Sequence, residues 1–236
     1  MDSRNYLIVG GSSGVGLELV KLLDGRQQTV YIGSRSAPDL TLFTNVHHLS
    51  YDANADHSEM VGLPDALDGL VYCPGSINLK PLQRLSTDDF LADFNLNLLG
   101  AVRTIKSTLK RLRKSHLGAS IILFSTVAVQ TGMAFHASVA SAKGAIEGLT
   151  RSLAAEFAPR IRVNAIAPSL MDTPLTKDLL STDAKRDAAA ERHPLKRVGT
   201  TRDIASMCVQ LLTNGSWITG QVIHVDGGMS SLKTFR

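Results

Sequence analysis

Three glycines near the start of the chain, Gly10, Gly14 and Gly16, have the spacing of a turn that can bind a phosphate group. Glycine lets the backbone turn sharply and approach a ligand closely. The apolar run 6–9 precedes them, and residues 15–23 repeat apolar side chains at helical spacing. The pattern predicts a strand, a glycine turn and a helix whose free N–H groups and positive dipole end favour a pyrophosphate. A purely structural tight turn is the alternative.

The elements that position this turn alternate along the chain. Strands are predicted at 5–10, 28–33, 46–51, 69–73, 119–125, 161–166 and 221–225. Helices are predicted near 14–24, 87–115, 139–158 and 201–213, with a shorter helical stretch around 175–190. This alternation predicts an α/β fold, a single Rossmann-type doubly wound parallel sheet with helices on both faces. Ligands are then expected at the carboxyl ends of the strands, where the glycine turn lies.

Length and composition narrow the class of protein. The chain has 236 residues, 44% of them hydrophobic, which fits one domain over residues 1–236. Its apolar stretches are too short to span a membrane and its first residues do not form a signal peptide, so we expect a cytoplasmic protein without a membrane partner. Cys73 and Cys208 belong to no CxxC or Cys/His pattern, so neither a disulfide framework nor a metal site is expected.

Positive charge is concentrated in two segments. Basic residues in 103–114 follow helical spacing with no aromatic side chains between them, which predicts a solvated helix face and no nucleic-acid partner. Segment 171–198 is the expected substrate selector. It contains three leucines for an apolar lid, Leu175, Leu179 and Leu180. Its positive charges either attract an acidic substrate or solvate a mobile loop, and they come from Lys177, Lys185, Arg186, Arg192 and His193.

Further motifs extend the glycine pattern over nearly the whole chain. They are Asp52, Pro74-Gly75, Asn97-Leu98-Leu99-Gly100, Ser125-Thr126, Lys143, the run 162–168, Asp172-Thr173-Pro174 and Asp226-Gly227-Gly228. In this order and combination, the chain resembles the short-chain dehydrogenase/reductase family. The resemblance implies a Rossmann-type domain, a nicotinamide cofactor, a small-molecule substrate, and a homo-oligomer that is a tetramer or else a dimer.

The same resemblance implies which residues bind the cofactor. Around the pyrophosphate and the adjoining ribose it places Gly10, Ser13, Gly14, Val15 and Gly16. It places Asp52 and Ala53 at the adenine and Thr173 at the nicotinamide amide. The remaining contacts are expected from Pro74, Gly75, Lys143 and Pro168.

Residues 32–36 follow the second strand and bear on phosphate preference. NAD-selective relatives carry an acidic residue there, whereas this chain reads Ile-Gly-Ser-Arg-Ser. Arg35 offers a planar fork for a phosphate, and Ser34 and Ser36 can donate hydrogen bonds. We therefore expect NADP(H) rather than NAD(H). An exposed Arg35 that pairs with solvent or with an acidic neighbour is the alternative.

The implied catalytic centre lacks its proton donor. In the family, a tyrosine four residues before the lysine protonates the carbonyl oxygen as hydride reaches the carbon. The resemblance implies that Thr126 polarises this oxygen, Lys143 bonds the nicotinamide ribose, and Asn97 positions a water. Val139 occupies the tyrosine position and has no proton to give. Loss of a general acid typically costs about 10²–10⁴ in rate.

Several side chains are candidates to replace the missing acid. His136 is chemically the most capable, because histidine titrates near neutral pH, although it precedes the helix. The alternative for His136 is a structural or surface role. Ser138 and Ser141 are poor acids, and Ser138 is expected to cap the helix. Tyr72 is a distant phenol or, alternatively, a core residue, and the hydroxyl of Thr126 remains a further candidate.

Two other positions differ from the family pattern. Many relatives read Asn-Asn-Ala-Gly after the fourth strand, where this chain has Tyr72-Cys73-Pro74-Gly75. Pro74 has no N–H, so different contacts are expected to hold this turn. Ser169 replaces a glycine often found after Pro168.

Small residues between 140 and 148 allow another helix to approach this one closely, which agrees with an isologous oligomer. The alternative is that they all face the chain's own sheet.

Three functions stay open. The leading one is an NADP(H)-dependent oxidoreductase for a small carbonyl or alcohol, with the proton supplied by His136, water or the substrate. The others are a non-redox nucleotide-binding or regulatory protein and a non-redox enzyme, such as an isomerase or cyclase.

Overall fold

Seven parallel strands form one sheet in the computed structural model, which describes residues 3–55 and 60–234. They are β1 (Asn5–Val9), β2 (Thr29–Ser34), β3 (Val46–Ser50), β4 (Gly69–Tyr72), β5 (Ala119–Phe124), β6 (Ile161–Pro168) and β7 (Val222–Val225). Their order across the sheet is β3-β2-β1-β4-β5-β6-β7, and each neighbouring pair is parallel. The expected Rossmann-type parallel sheet is confirmed.

Helices cover both faces of the sheet. They are α1 (Gly14–Asp24), α2 (Thr87–Phe94), α3 (Gly100–Leu112), α4 (Val127–Thr131), α5 (Ala137–Phe157), α6 (Asp183–Glu191) and α7 (Thr201–Thr213). The sequence pattern did not predict α4, and α5 begins two residues earlier than expected. The stretch predicted around 175–190 is a 3₁₀ helix at Pro174–Leu180 followed by α6. Further 3₁₀ turns lie at Leu40–Leu42 and Leu82–Arg84.

The single helix predicted for 87–115 was wrong, because a π-helical turn at Asn95–Leu99 separates α2 from α3. A buried tyrosine accompanies this irregularity. The hydroxyl of Tyr72 donates to the carbonyl oxygen of Leu96 at 2.6 Å, and a Cβ at Gly100 would overlap that hydroxyl. Burial raises the pKa of Tyr72 well above its ordinary value. Tyr72 is therefore a core residue and not a phenol for catalysis.

The core lies on both faces of the sheet, as expected when helices cover a parallel sheet on two sides. Alternate residues of β1 belong to different clusters, with Leu7 in one and Ile8 in the other. Helices α3 and α5 pack on the Leu7 side, and α1 and α7 pack on the Ile8 side together with buried Cys208. Within 3–55 and 60–234, no helix is long and apolar enough to cross a membrane.

The strand order reverses between β1 and β4. Strand β1 has β2 on one side and β4 on the other, and Val9 pairs with Tyr72 at the carboxyl ends. Connections leave these two strands in opposite directions across the sheet, which opens a crevice at their ends. The fold thus places the glycine turn after β1 beside the residues that follow β4.

Candidate active site

An open cleft of about 820 Å³ lies at the carboxyl ends of the strands. Such a volume is within the usual range of small-molecule sites, about 300–1,000 Å³. All residues expected to bind the cofactor line it, namely Gly10, Ser13, Gly14, Val15, Gly16, Ser34, Arg35, Ser36, Asp52, Ala53, Pro74, Gly75, Lys143, Pro168 and Thr173. Three of the four expected catalytic residues line it too, Thr126, His136 and Lys143, whereas Asn97 is buried behind the surface.

The glycine turn has the backbone that its sequence requires. Gly10 and Gly14 have φ angles of +77° and +54°, in the left-handed region that favours glycine. A Cβ at Gly16 would overlap the carbonyl oxygen of Gly10, so the turn and the first turn of α1 lie in direct contact. Ser13 is the N-cap of α1, and its side chain makes no capping hydrogen bond. The first N–H groups of α1 are therefore available to an anion.

The loop after β2 presents one guanidinium to the cleft. Arg35 is exposed, and among the described residues it has neither a hydrogen bond nor an ion pair, so no acidic neighbour occupies its fork. The buried hydroxyl of Ser34 donates to the carbonyl oxygen of Ser36 at 2.8 Å, and this bond competes with the donation to a phosphate expected of Ser34. His48 Nε2 donates to the carbonyl oxygen of Ser34 at 3.0 Å. His48 was missed because strand pairing alone brings it to this loop.

The segment after β6 closes over the glycine turn. A Cβ at Gly14 would lie 4.0 Å from Thr173 Cβ and 3.9 Å from Pro174 Cδ. Where the adenine is expected, the carbonyl oxygen of Ala53 accepts a hydrogen bond from Arg103 Nη2 at 3.0 Å. Asp52 Oδ1 accepts from the N–H of Asn54 at 2.9 Å. This part of the cleft is therefore held by one local contact and by one contact from α3, which is distant in sequence.

Helix α5 places Val139 and Lys143 in the wall of the cleft, one turn apart. Their exposed fractions are 6% and 8%. Burial lowers the pKa of Lys143 to about 8, against opposing interactions with Cys73 and Asp93. A Cβ at Gly75 would lie 3.4 Å from Lys143 Nζ and 3.3 Å from Asn97 Oδ1. Glycine at position 75 therefore avoids crowding both polar atoms.

A buried carboxylate organises the polar groups behind this wall. Asp93 is 2% exposed and accepts hydrogen bonds from the hydroxyls of Ser76 and Ser138, each at 2.5 Å. Asn97 Nδ2 donates to Ser76 Oγ and to the carbonyl oxygen of Asp93, each at 2.8 Å. The carboxylate can only accept, so it orients both serine hydroxyls and, through Ser76, the Asn97 amide. Because the Asn97 amide donates through Nδ2, its Oδ1 is buried and has no hydrogen bond within the described part of the chain.

Sequence reasoning missed Asp93 and Ser76, although one signal was present. Asp93 and Asn97 are four residues apart in a segment predicted to be helical, which places both on one helix face. A carboxylate on the same face as a functional amide is a candidate neighbour for it. Nothing in the pattern indicated that Ser138, 45 residues later in sequence, would donate to this carboxylate.

The candidate proton donors differ in whether their polar groups are free to act in the cleft. Thr126 is the N-cap of α4, and Oγ1 accepts from the N–H of Ala128 at 3.3 Å, so its hydroxyl hydrogen remains available to the cleft. His136 is half-buried, lines the cleft and bonds the carbonyl oxygen of Ala134 through Nδ1 at 2.7 Å. Ser141 is exposed and donates to Ala137, away from the site. Its hydroxyl and that of Ser138 are therefore committed elsewhere.

Ser138 is also not the helix cap. Helix α5 begins at Ala137, with His136 in the N-cap position, so the predicted capping role of Ser138 was wrong. The hydroxyl instead points inward to Asp93, because the contact of α2 with α5 brings that carboxylate against the first turn.

Segment 171–198 forms one side of the cleft but only partly as expected. Leu175 and Leu179 line the cleft, whereas Leu180 is 2% exposed and absent from its lining. Of its basic residues, Arg192 and His193 line the cleft. The other basic residues lie outside that lining, and Arg186, for example, pairs with Asp172 at 2.7 Å. The positive charge beside the cleft is therefore smaller than the sequence suggested.

Comparison with known proteins places this geometry in a family. A family model described as enoyl-(acyl carrier protein) reductase matches residues 52–230. The chain is 33% identical to carbonyl reductase family member 4 of Danio rerio, over 98% of this chain and 99% of that protein. It is 30% identical to 3-oxoacyl-(acyl-carrier-protein) reductase FabG of Vibrio harveyi, over 97% and 98%. The chain belongs to the short-chain dehydrogenase/reductase family of oxidoreductases.

Solved structures share the fold over nearly the whole chain. The structure of ElxO with NADP bound superimposes with a TM-score of 0.87 at 29% identity, over 98% of this chain and 100% of that one. A variant of ElxO with a tyrosine replaced by phenylalanine and NADPH bound gives a TM-score of 0.85 at 28% identity, with the same coverage.

Proposed function

We propose that this protein is an NADP(H)-dependent oxidoreductase that interconverts a small carbonyl compound and its alcohol. One observation carries the proposal: a single cleft joins the glycine turn and Arg35 at one end to Thr126 and Lys143 at the other. A dinucleotide is long enough to require both ends. The names of relatives, carbonyl reductase and 3-oxoacyl-(acyl-carrier-protein) reductase, support a carbonyl substrate.

The residues present fit the phosphorylated cofactor. The left-handed glycines permit close approach of a pyrophosphate, and the N-terminus of α1 provides N–H groups for it. Arg35 and the hydroxyl of Ser36 remain for a ribose phosphate. ElxO, a relative in fold, binds NADP, and its Tyr-to-Phe variant holds NADPH. Loss of a tyrosine hydroxyl is therefore compatible with cofactor binding in this fold.

The chain's own residues would divide the chemistry as follows. When bound, the nicotinamide supplies or accepts the hydride. Thr126 would donate its free hydroxyl hydrogen to the substrate oxygen, and Lys143 would hold the cofactor through its ribose hydroxyls. The unbonded Asn97 Oδ1 would accept a hydrogen bond from a water beside Gly75. Thr126 polarises the oxygen but has no base or acid behind it, so the proton must come from another group.

The second candidate is a protein that binds the nucleotide and does not turn it over. The observation that favours it is the exclusion of several substitutes for the missing phenol: Tyr72 is buried in the core, and the hydroxyls of Ser138 and Ser141 are committed to other acceptors. In that case the cleft would act as a nucleotide sensor, and the network around Asp93 would serve stability alone.

Hydride transfer separates the two candidates. NADPH is mixed with a panel of small aldehydes and ketones, and its absorbance is followed, with Lys143→Met as the matched control. Turnover by the natural chain that is lost in the Lys143→Met variant supports the oxidoreductase. NADPH binding by fluorescence titration, without turnover on the whole panel, supports the nucleotide-binding protein instead.

We also propose that the protein forms a homo-oligomer through α5, a tetramer or else a dimer. A Cβ at Gly148 would meet nothing within 4 Å, and one at Gly144 would meet only Val129, at 3.8 Å. These glycines therefore face away from the chain's own sheet, which leaves room for a second helix. Sedimentation at micromolar concentration tests the proposal, and a monomer alone would overturn it. A dimer would exclude only the tetramer.

A further inference from the structure

A serine and a histidine that line the cleft are in hydrogen-bond contact with each other. Ser169 follows β6, and its Oγ is 2.8 Å from Nε2 of His193, which lies just after α6. Both residues line the cleft, Ser169 being half-buried and His193 2% exposed. None of the roles assigned above uses this pair.

The hydrogen bond at Nδ1 of His193 determines whether Ser169 Oγ or His193 Nε2 carries the hydrogen between them. Nδ1 is 2.8 Å from the carbonyl oxygen of Ala189, which can only accept, so Nδ1 must carry a hydrogen. In the neutral ring Nε2 then has a lone pair, and the Ser169 hydroxyl donates to it. The other neighbour of Ser169 Oγ is Met229 Sδ at 3.0 Å, which can accept the same hydroxyl hydrogen but is a weaker acceptor than an imidazole nitrogen. A hydroxyl that donates to an oriented imidazole is the arrangement that activates serine in enzymes.

We propose that Ser169 and His193 exchange the proton of the reaction, in place of the phenol missing at Val139. The proposal rests on the proposed function. In alcohol oxidation, the substrate hydroxyl gives its proton to Ser169 Oγ while the Ser169 hydrogen passes to His193 Nε2. When bound, the oxidised nicotinamide would accept the hydride from the carbinol carbon, so that the products would be a carbonyl compound and an imidazolium at His193. Carbonyl reduction reverses each of these transfers.

The charged groups around His193 are already engaged or lie at the cleft. Arg197 and Asp203 line a small cavity behind the ring and bind each other through two hydrogen bonds of 2.7 and 2.8 Å. The Asp226 carboxylate accepts from the N–H groups of Gly228 and Ser230, at 2.8 Å each. Arg192 precedes His193 and lines the cleft. Among the contacts described, none of these groups bonds the imidazole, which leaves Ser169 as its partner at Nε2.

The hydrogen bond to Ala189 also gives His193 a structural role, because it satisfies a carbonyl at the end of α6. That role needs Nδ1 alone, so variants can separate it from proton exchange. Ser169→Ala removes the hydroxyl that exchanges the proton and leaves the hydrogen bond from His193 Nδ1 to Ala189. His193→Asn retains a side-chain N–H near the Nδ1 position and removes Nε2. Ser107→Ala, a serine on α3 that bonds its own helix, is the matched control.

The test measures kcat/KM for alcohol oxidation against pH, together with NADPH affinity. Both variants are expected to lower kcat/KM by about 10²–10⁴, as for loss of a general base, with NADPH affinity unchanged. The natural chain and Ser107→Ala should share an acid limb in kcat/KM, because a protonated Nε2 cannot accept the Ser169 hydrogen, and both variants should lose it. An unchanged pH profile in Ser169→Ala would overturn the inference and leave the proposed function standing. NADPH binding without any turnover by the natural chain would overturn both.

Nitrogen NMR of the protein without cofactor gives an independent measurement. The His193 ring is expected as the neutral form with hydrogen on Nδ1, and Ser169→Ala should shift the Nε2 resonance and leave Nδ1 nearly unchanged. Hydrogen on Nε2 in the neutral ring would contradict the inference, whatever the activity.

Discussion

The two ends of the cleft use different parts of the chain: one end uses mainly backbone groups and the other uses side chains. The end at α1 uses the backbone: glycine φ angles, helix N–H groups and one exposed guanidinium. The end at α5 uses buried side chains, with Lys143 and Asp93 both at least nine-tenths buried. Backbone chemistry depends on a few glycines, whereas side-chain chemistry depends on packing between distant helices.

The end at α5 also lowers the free energy of unfolding more than the end at α1, because it buries ionisable groups. Burying ionisable groups is unfavourable unless each is paired or hydrogen-bonded. Asp93 has two hydroxyl donors, but among described residues Lys143 has no hydrogen bond or ion pair, and its pKa is lowered to about 8 by burial. A buried amine without a partner is typical of a site that binds a ligand there. Four changes test the contrast between the two ends.

The largest effect is expected from Val139→Tyr, which adds a phenol one turn from Lys143. If the site lacks only the acid, carbonyl reduction should rise by about 10²–10⁴, the usual contribution of a general acid. Val139→Phe is the control, because it adds similar volume without the hydroxyl. Initial rates of carbonyl reduction with NADPH, measured for both variants, provide the test. A folded Val139→Tyr variant that binds NADPH and is no faster than Val139→Phe would mean that the α5 end has diverged beyond one group.

A smaller effect, limited to one cofactor, is expected from Arg35→Ala at the other end. Loss of a charge-assisted pair with a ribose phosphate should weaken NADPH binding by about 10- to 100-fold. NADH binding should change little, since NADH lacks that phosphate. Arg26→Ala, which removes an exposed arginine bonded to its own helix, is the control. Equal affinities of the natural chain for NADPH and NADH in fluorescence titration would remove the case for phosphate recognition.

Replacement of Lys143 by methionine should stabilise the protein while it abolishes turnover. Folding lowers the pKa of this amine from 10.5 to about 8, so the cost of burying its charge is fully present below pH 8. Lys143→Met should raise the free energy of unfolding at pH 7 by about 1–3 kcal/mol, from the size of such a shift. The advantage should shrink as the pH rises from 8 to 10.5.

Urea denaturation at several pH values measures this gain. Lys110→Met, which replaces an exposed lysine on α3, is the matched control and should change stability by less than about 0.5 kcal/mol. Equal stabilities of Lys143→Met and the natural chain at pH 7 would show that the amine is already satisfied in the folded protein.

The smallest effect is expected from His136→Ala. If Ser169 and His193 move the proton, removing the half-buried imidazole of His136 should change kcat/KM by no more than about twofold, because His136 then takes no part in the proton transfer. Steady-state rates across pH provide the test. A large loss in His136→Ala, with the acid limb removed, would assign the acid to the α5 end and contradict the role of Ser169.

Local sequence patterns predicted one end of the cleft better than the other. The glycine turn and the exposed Arg35 depend on a few neighbouring residues, and both lie at the cleft as expected. The hydrogen bond from the Ser34 hydroxyl to the carbonyl oxygen of Ser36 was not predicted, because it depends on the conformation of the loop. The continuous helix expected over 87–115 failed because the periodicity of apolar residues does not reveal a π turn.

The sequence by itself determined the alternation of strands and helices, the position of the glycine turn and the presence of valine rather than tyrosine at position 139. These follow from residue type and short-range spacing. Only the tertiary structure decided that Asp93 would orient Ser76, Ser138 and Asn97, and that Ser169 would meet His193. The physical reason is that hydrogen bonds between side chains from different elements depend on how those elements pack, and packing brings together residues that no local pattern connects.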